Sequence, residues 1–96
     1  MDDVTRWWLR KLRHAVEDAI MCYNAEVQRV PWNIDRDIRY YAKELGGRPG
    51  MEELANEAYR IGAYSAQPAD YVALLDRIWA QFGDDGTMSE ISDTAY

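Results

Sequence analysis

The feature that most constrains this chain is the spacing of its apolar residues, which recur at every third or fourth position. Between Asp3 and Val30 this series consists of Trp8, Leu12, Ala15, Ala19, Cys22 or Tyr23, Val27 and Val30. Such spacing is typical of one face of a helix. Asp2 and Asp3 stand where an N-cap belongs, whereas Pro31 cannot continue a helix. The pattern predicts one long helix of about 26 residues, which would span about 40 Å.

Three shorter helices are predicted from the same spacing farther along the chain. Pro31-Trp32-Asn33 opens the second helix, with Asn33 as its cap, and Gly46-Gly47 ends it. Apolar residues predict a third helix over residues 51–64 and a fourth over residues 71–82, separated by Ser65–Pro68 and closed by Gly83. Gly62 is unfavourable inside a helix, so it predicts either a frayed end or a close helix crossing.

These elements predict an all-α fold, a small bundle of about four helices with a long N-terminal helix. Residues 1–83 would form a single all-helical domain. Residues 84–96 are polar and acidic, and we expect a short flexible tail in which Met88 and Ile91 are the residues able to dock. The predicted core consists of Leu12, Ala19, Val27, Ile38, Leu45, Leu54, Ala58, Ile61, Leu75, Ile78 and Phe82.

Composition excludes several classes of function. The chain has one histidine, His14, and one cysteine, Cys22, too few for the usual Cys/His zinc site or Cys-His nucleophile. Cys22 falls in the apolar series and is predicted to be buried. Carboxylates without a Glu-x-x-His pattern do not form a di-iron site, and the glycine-rich turn at residues 46–50 lacks the Lys-Ser/Thr of a phosphate loop. We therefore expect no enzyme, no cofactor and no metal.

The same sequence lacks the features of a membrane or secreted protein. No stretch approaches the ~18 apolar residues of a membrane span. The first residues, Met1-Asp2-Asp3, lack the basic and then apolar order of a signal peptide. We expect a cytoplasmic protein that does not bind membranes.

A partner-binding surface is predicted near the N-terminus. Adjacent residues of a helix point about 100° apart, so Trp7 and Trp8 cannot both lie in one apolar stripe. Residues 1–16 carry four basic and two acidic side chains, whereas residues 17–96 carry seven basic and fifteen acidic ones. Trp and Arg are frequent in interface hot spots. The predicted contact residues are Arg6, Trp7, Trp8, Arg10, Lys11 and Arg13, facing a protein partner or a second copy in a homodimer.

The acidic side chains suggest a second surface. Its candidate residues are Asp35, Asp37, Glu44, Glu52, Glu53 and Glu57. Such a surface either keeps the domain soluble or imitates nucleic acid on a basic groove of another protein. In its short length, acidity, helical pattern and aromatic content the chain resembles small inhibitors that phages and mobile elements encode against restriction or CRISPR systems. This is a likeness of composition, and no motif points to a named family.

These observations favour a non-enzymatic protein-binding module, of which a small phage inhibitor of anti-restriction or anti-CRISPR type is one form. One alternative is a nucleic-acid-associated accessory factor, in which the basic residues contact phosphates and a Trp stacks on a base. A net charge of −6 disfavours direct nucleic-acid binding. The other alternative is a structural homo-oligomer.

Overall fold

The structure, a computed structural model, describes residues 2–64 and 67–82. Within these ranges the chain forms four helices: α1 (Asp3–Cys22), α2 (Trp32–Gly46), α3 (Glu52–Ala63) and α4 (Pro68–Phe82). The predicted all-α bundle with a long N-terminal helix is confirmed. The predicted break at residues 65–66, Gly83 and the predicted tail 84–96 with Met88 and Ile91 lie outside the described residues.

The first helix begins where the sequence predicts. Asp2 is extended and its Oδ1 accepts the backbone N–H of Thr5 at 2.7 Å, as an N-cap does. This bond to the charged form lowers the pKa of Asp2. Asp3 follows in the first turn, where a negative charge is favourable for the helix dipole.

The end of α1 differs from the prediction, since the helix stops at Cys22 and not near Val30. Asn24 begins a tight turn in which its Oδ1 accepts the N–H groups of Glu26 at 2.8 Å and Val27 at 3.3 Å. Two backbone bonds between Asn24 and Arg29 close this turn. An Asn side chain that binds nearby N–H groups competes with the helical ladder, which explains why the helix ends about two turns early.

This turn also corrects two predicted burials. Val27 is 60% exposed because it lies in this turn, after α1 has ended. Cys22, the last residue of α1, is exposed as well. Val30 is buried where the chain re-enters the core. Pro31 is the N-cap of α2, and its carbonyl accepts the N–H groups of Ile34 and Asp35. The prediction that Asn33 caps α2 is wrong, because Pro31 holds that position and Asn33 lies within the helix.

α2 packs against both α1 and α3, and α4 packs mainly on α1. Nine of the eleven predicted core residues are buried between these helices. Leu75 is half-buried, whereas its neighbour Leu74 is buried, so the apolar face of α4 is rotated from the predicted one. Leu9 and Val16 also belong to the core. Trp8 therefore lies at the edge of the buried face of α1 and not at its centre.

Gly62 marks a close crossing of α2 and α3. A Cβ added to Gly62 would lie 3.0 Å from the Asp35 carbonyl oxygen, 3.1 Å from Arg39 Cγ and 3.2 Å from Ile38 Cγ2. Arg39 Nη1 donates to the Gly62 carbonyl at 2.7 Å across the same contact. Of the two explanations that the sequence left open for Gly62, the helix crossing is the one observed.

Leu74→Ala should lower the free energy of unfolding by about 2–5 kcal/mol, the range for a large-to-small change in a core. Leu75→Ala should cost distinctly less, because Leu75 is only half-buried. Chemical denaturation of the two variants measures both losses. An equal or larger loss at Leu75 would mean that α4 packs through its other side.

Gly62→Ala should destabilise the chain, although Ala is better than Gly in an ordinary helix by about 1 kcal/mol. The reason is the backbone carbonyl of Asp35, which cannot move away without shifting α2. Gly46→Ala is the matched control, since its added Cβ would meet Ala55 Cβ at an ordinary 3.8 Å. The melting temperature of Gly46→Ala should be higher than that of Gly62→Ala. The reverse order would refute the close crossing.

Candidate functional site

Four aromatic rings from α1 and α2 form a continuous cluster, which we call the aromatic platform: Trp7, Trp8, Tyr40 and Tyr41. Trp7 and Trp8 meet edge to face, with centroids 4.7 Å apart and planes at 81°. Trp8 meets Tyr40 at 5.8 Å and Tyr41 at 6.1 Å. Tyr40 and Tyr41 are 5.5 Å apart. These distances and angles are those of favourable aromatic pairs, so the rings hold one another in place.

The platform has an inner and an outer part. Trp8 and Tyr41 are partly buried and pack against the core. Trp7 is 42% exposed and Tyr40 is 53% exposed. Each adjacent aromatic pair therefore supplies one ring that anchors the cluster and one that faces outward. The prediction that one ring of the Trp7-Trp8 pair escapes the core is confirmed.

Charged groups border the platform on the α1 side. Lys11 Nζ lies 5.1 Å from the centroid of the Trp7 ring, within range of a cation–π contact. Next to Lys11 is a hollow of about 330 Å³, whose lining includes His14, Asp18, Asp37 and Tyr41. Burial, together with the nearby negative charge of Asp37, raises the pKa of Tyr41. The rim therefore offers both signs of charge and several hydrogen-bonding groups.

The three arginines of the predicted contact set lie on another side of α1. Arg6, Arg10 and Arg13 are spaced four and three residues apart, so they share one helix face, which we call the arginine stripe. Arg13 is buried against α4, with its guanidinium 5.7 Å from the Trp79 ring. It also donates to His14 Nε2 at 2.7 Å and lies 3.9 Å from Glu17. The structure thus groups Trp7, Trp8 and Lys11, whereas it packs Arg13 against α4.

The structure places the predicted acidic residues in different surroundings. Glu44, Glu52 and Glu53 are exposed on α2 and α3. Glu57 binds Arg60, and Asp37 lies 3.1 Å from Arg36. Ion pairs of this kind neutralise part of the negative charge that an imitation of nucleic acid would need.

Asp35 has a structural position between three helices. Its Oδ1 accepts the hydroxyl of Tyr71 at 2.8 Å, which joins α2 to α4, and its backbone carbonyl lies against Gly62 of α3. Burial raises the pKa of Asp35, although Tyr71 and the nearby charge of Arg39 act in the opposite direction. Burial and the bond to Asp35 raise the pKa of Tyr71 as well. Both groups are therefore engaged in packing.

A second exposed tryptophan lies at the start of α2, eight residues before Tyr40. Trp32 is 72% exposed, and Arg36 lies 5.0 Å from its ring centroid. Like Trp7, it is exposed and has a cation near its ring, but no aromatic ring contact joins it to the four platform rings. This makes Trp32 a useful control for the platform.

Tyr40 and Tyr41 are not among the contact residues predicted on the first helix. The available signal was a second adjacent aromatic pair, on α2, matching Trp7-Trp8 on α1. Spacing within one helix does not reveal which pairs meet across a helix interface. The contact depends on how α1 and α2 pack.

Among residues 2–64 and 67–82, no group of three or more His, Cys, Asp or Glu side chains is arranged to hold a metal ion. Over the same residues, no helix combines the length and apolarity needed to cross a membrane. In comparisons with protein-family models, curated proteins and solved structures, the chain matches none. The function proposed below therefore rests on the chain's own residues.

Because the pKa of Asp35 is raised in the folded chain, the free energy of unfolding should depend on pH. The folded chain keeps the Asp35 proton to a higher pH than the unfolded chain, where the ordinary value is 3.8. Ionisation of Asp35 therefore lowers the free energy of unfolding as pH rises from 3.8 through the folded pKa.

Asp35→Asn keeps an acceptor for Tyr71 but removes the titration. The stability of the wild type relative to this variant should fall over that pH range and then level off, as measured by denaturation at several pH values. A difference that rises with pH would show that Asp35 is stabilised as a carboxylate.

Proposed function

We propose that this chain is a non-enzymatic protein-binding module and that the aromatic platform is its contact surface. The observation that carries the proposal is the exposure of Trp7 and Tyr40. Both rings contact Trp8, which is itself packed against the core. Rigid aromatic side chains give a large contact area at a low entropic cost, which is why they dominate interface hot spots. Trp7 and Tyr40 are the expected anchors.

The surroundings of the platform favour a protein as the partner. Lys11 beside Trp7 and the carboxylates of Asp18 and Asp37 in the adjoining hollow form a rim of mixed charge. Protein interfaces commonly combine an aromatic centre with a polar rim. The expected partner presents apolar side chains to Trp7 and Tyr40, and groups of both charges around them.

Nucleic-acid binding, the alternative from sequence, has less support. Binding of a single strand needs cations along the backbone path next to the stacking rings. Here Asp18 and Asp37 border the platform, and Arg13 of the arginine stripe is buried beside Trp79. Negative charges beside the rings would repel phosphates.

The absence of catalysis is part of the proposal. Asp35 and Tyr71, which have raised pKa values, bind one another at a helix junction and do not face the platform hollow. The narrower hypothesis of a phage inhibitor of anti-restriction or anti-CRISPR type stays a prediction from sequence. Homodimerisation through the same platform is the second candidate, because a second copy could cover the same exposed rings.

The test compares three baits: the wild type, the Trp7→Ala/Tyr40→Ala double variant and the Trp32→Ala control. Each immobilised bait is incubated with an extract of the source cells, with and without nuclease treatment, and the retained proteins are quantified. A protein held by the wild type and by Trp32→Ala should fall roughly tenfold or more on the double variant, as expected for the loss of interface anchors. Circular dichroism confirms that all three baits remain folded.

Two outcomes would contradict the proposal. Equal retention by the double variant would remove the platform from the interface. Loss of all partners on nuclease treatment would favour the nucleic-acid alternative. Sedimentation of the wild type and the double variant tests the homodimer alternative. Self-association through the platform would increase with protein concentration and would disappear in the variant.

A further inference from the structure

Two adjoining hollows lie where the turn after α1 leads into α2. Arg29, Val30 and Trp32 line both of them and form a shared wall. The first hollow, of about 200 Å³, is also lined by Gly62 of α3, and we call it the polar hollow. The second, of about 300 Å³, is also lined by Val27 of the turn, and we call it the apolar hollow. A ligand that rests on the shared wall can therefore enter both.

The polar hollow contains two guanidinium groups and one carboxyl group. Arg29 comes from the turn, whereas Asp35 and Arg39 come from α2. Burial raises the pKa of Asp35, and the charges of Arg39 and Arg29 act against this rise, so both arginines lie near the carboxyl group. Two positive charges thus face at most one negative charge. The hollow favours one further negative charge, which a carboxylate supplies, whereas a phosphate ester carries about −1.5 to −2.

Both arginines have N–H groups that can bind a carboxylate. Arg39 gives Nη1 to the Gly62 carbonyl, and that bond uses only one of the five donors of a guanidinium. Arg29 is exposed, and the bonds that close the turn join its backbone, not its side chain, to Asn24. A guanidinium binds a carboxylate through two parallel hydrogen bonds. The turn holds Arg29 beside α2 before any ligand arrives, which lowers the entropic cost of binding.

The apolar hollow lies on the other side of the same wall. Val27 is 60% exposed and Trp32 is 72% exposed, and the exposed Pro31 also lines the hollow. An apolar group placed here would remove these side chains from water, which is favourable in proportion to the area covered. A volume of about 300 Å³ is at the lower limit of small-molecule pockets and suits one ring or a short aliphatic chain.

We propose that the two hollows together bind a small amphipathic carboxylate. Its carboxylate lies between Arg29 and Arg39 in the polar hollow. Its apolar body covers Val27 and Trp32 in the apolar hollow. The residues involved differ from those that line the hollow beside the aromatic platform. This site is therefore a second one and does not depend on the function proposed for the platform.

The probe for this site is phenylacetate, titrated into the full chain at constant ionic strength and followed by NMR. The indole N–H of Trp32 and the backbone N–H groups of Arg29 and Gly62 should shift with saturation, with a dissociation constant on the order of 1 mM. The indole N–H of Trp7 should not move. Acetate, which lacks the apolar body, should bind about tenfold more weakly or worse. Phenylethylamine, which has the same ring and the opposite charge, should give no saturable shift.

Three variants separate the two hollows. Arg29→Gln should weaken phenylacetate binding about fivefold or more, because it removes one of the two cations. Arg48→Gln is the matched control, since it removes the same charge beyond the other end of α2, about 20 Å away. Its affinity should stay within about twofold of the wild type, because salt screens charges at that distance. Val27→Ser should weaken phenylacetate but not acetate. Circular dichroism checks that each variant is folded.

Other results overturn the proposal. Equal affinity of Arg29→Gln and the wild type would remove the guanidinium groups from the site. An equal loss in Arg48→Gln would show that only the net charge of the chain matters. Acetate that binds as tightly as phenylacetate, or a Val27→Ser variant that binds phenylacetate like the wild type, would remove the apolar hollow. Shifts that grow linearly with concentration would show that phenylacetate has no defined site.

Discussion

The fold depends on the junction where α2 crosses α3 at Gly62. The helices approach so closely that the Asp35 carbonyl leaves no space for a side chain at position 62, and Arg39 bridges them by binding the Gly62 carbonyl. The Asp35 carboxylate, at the same point, accepts the Tyr71 hydroxyl from α4. One turn of α2 therefore fixes the positions of two other helices. It does so by a close approach that only glycine permits at position 62, and by two hydrogen bonds from partly buried side chains, one to α3 and one from α4.

The position of α2 determines the geometry of the candidate site. Tyr40 and Tyr41 follow Arg39 directly, so the residue that binds α3 is next to the pair that contacts Trp8 on α1. On α1, the Trp8 ring therefore contacts α2, whereas Arg13 contacts Trp79 of α4.

Periodicity predicted the helical class, the breaks at Pro31 and Gly46-Gly47, and most of the core, because these features depend on local spacing. It placed the end of α1 too late. Asn24 stops that helix through its side chain, and the apolar spacing through Val27 gave no sign of it. It also selected Leu75 instead of Leu74, since both belong to a broad apolar stripe and only the packing of α4 distinguishes them. For the site, the adjacent Trp pair was a sufficient signal for one exposed ring, whereas Tyr40 and Tyr41 join it only through tertiary contact.

Radical footprinting of the aromatic side chains tests most directly whether the platform is the contact surface. The oxidation rates of Trp7 and Tyr40 are compared between the purified chain and the chain in a concentrated extract of its source cells. Binding through the platform predicts that both residues become protected in the extract, while Trp32 and Tyr64, which are also exposed, keep their rates. Protection of Trp32 or Tyr64 with Trp7 and Tyr40 unchanged would contradict the assignment of the contact surface to the platform.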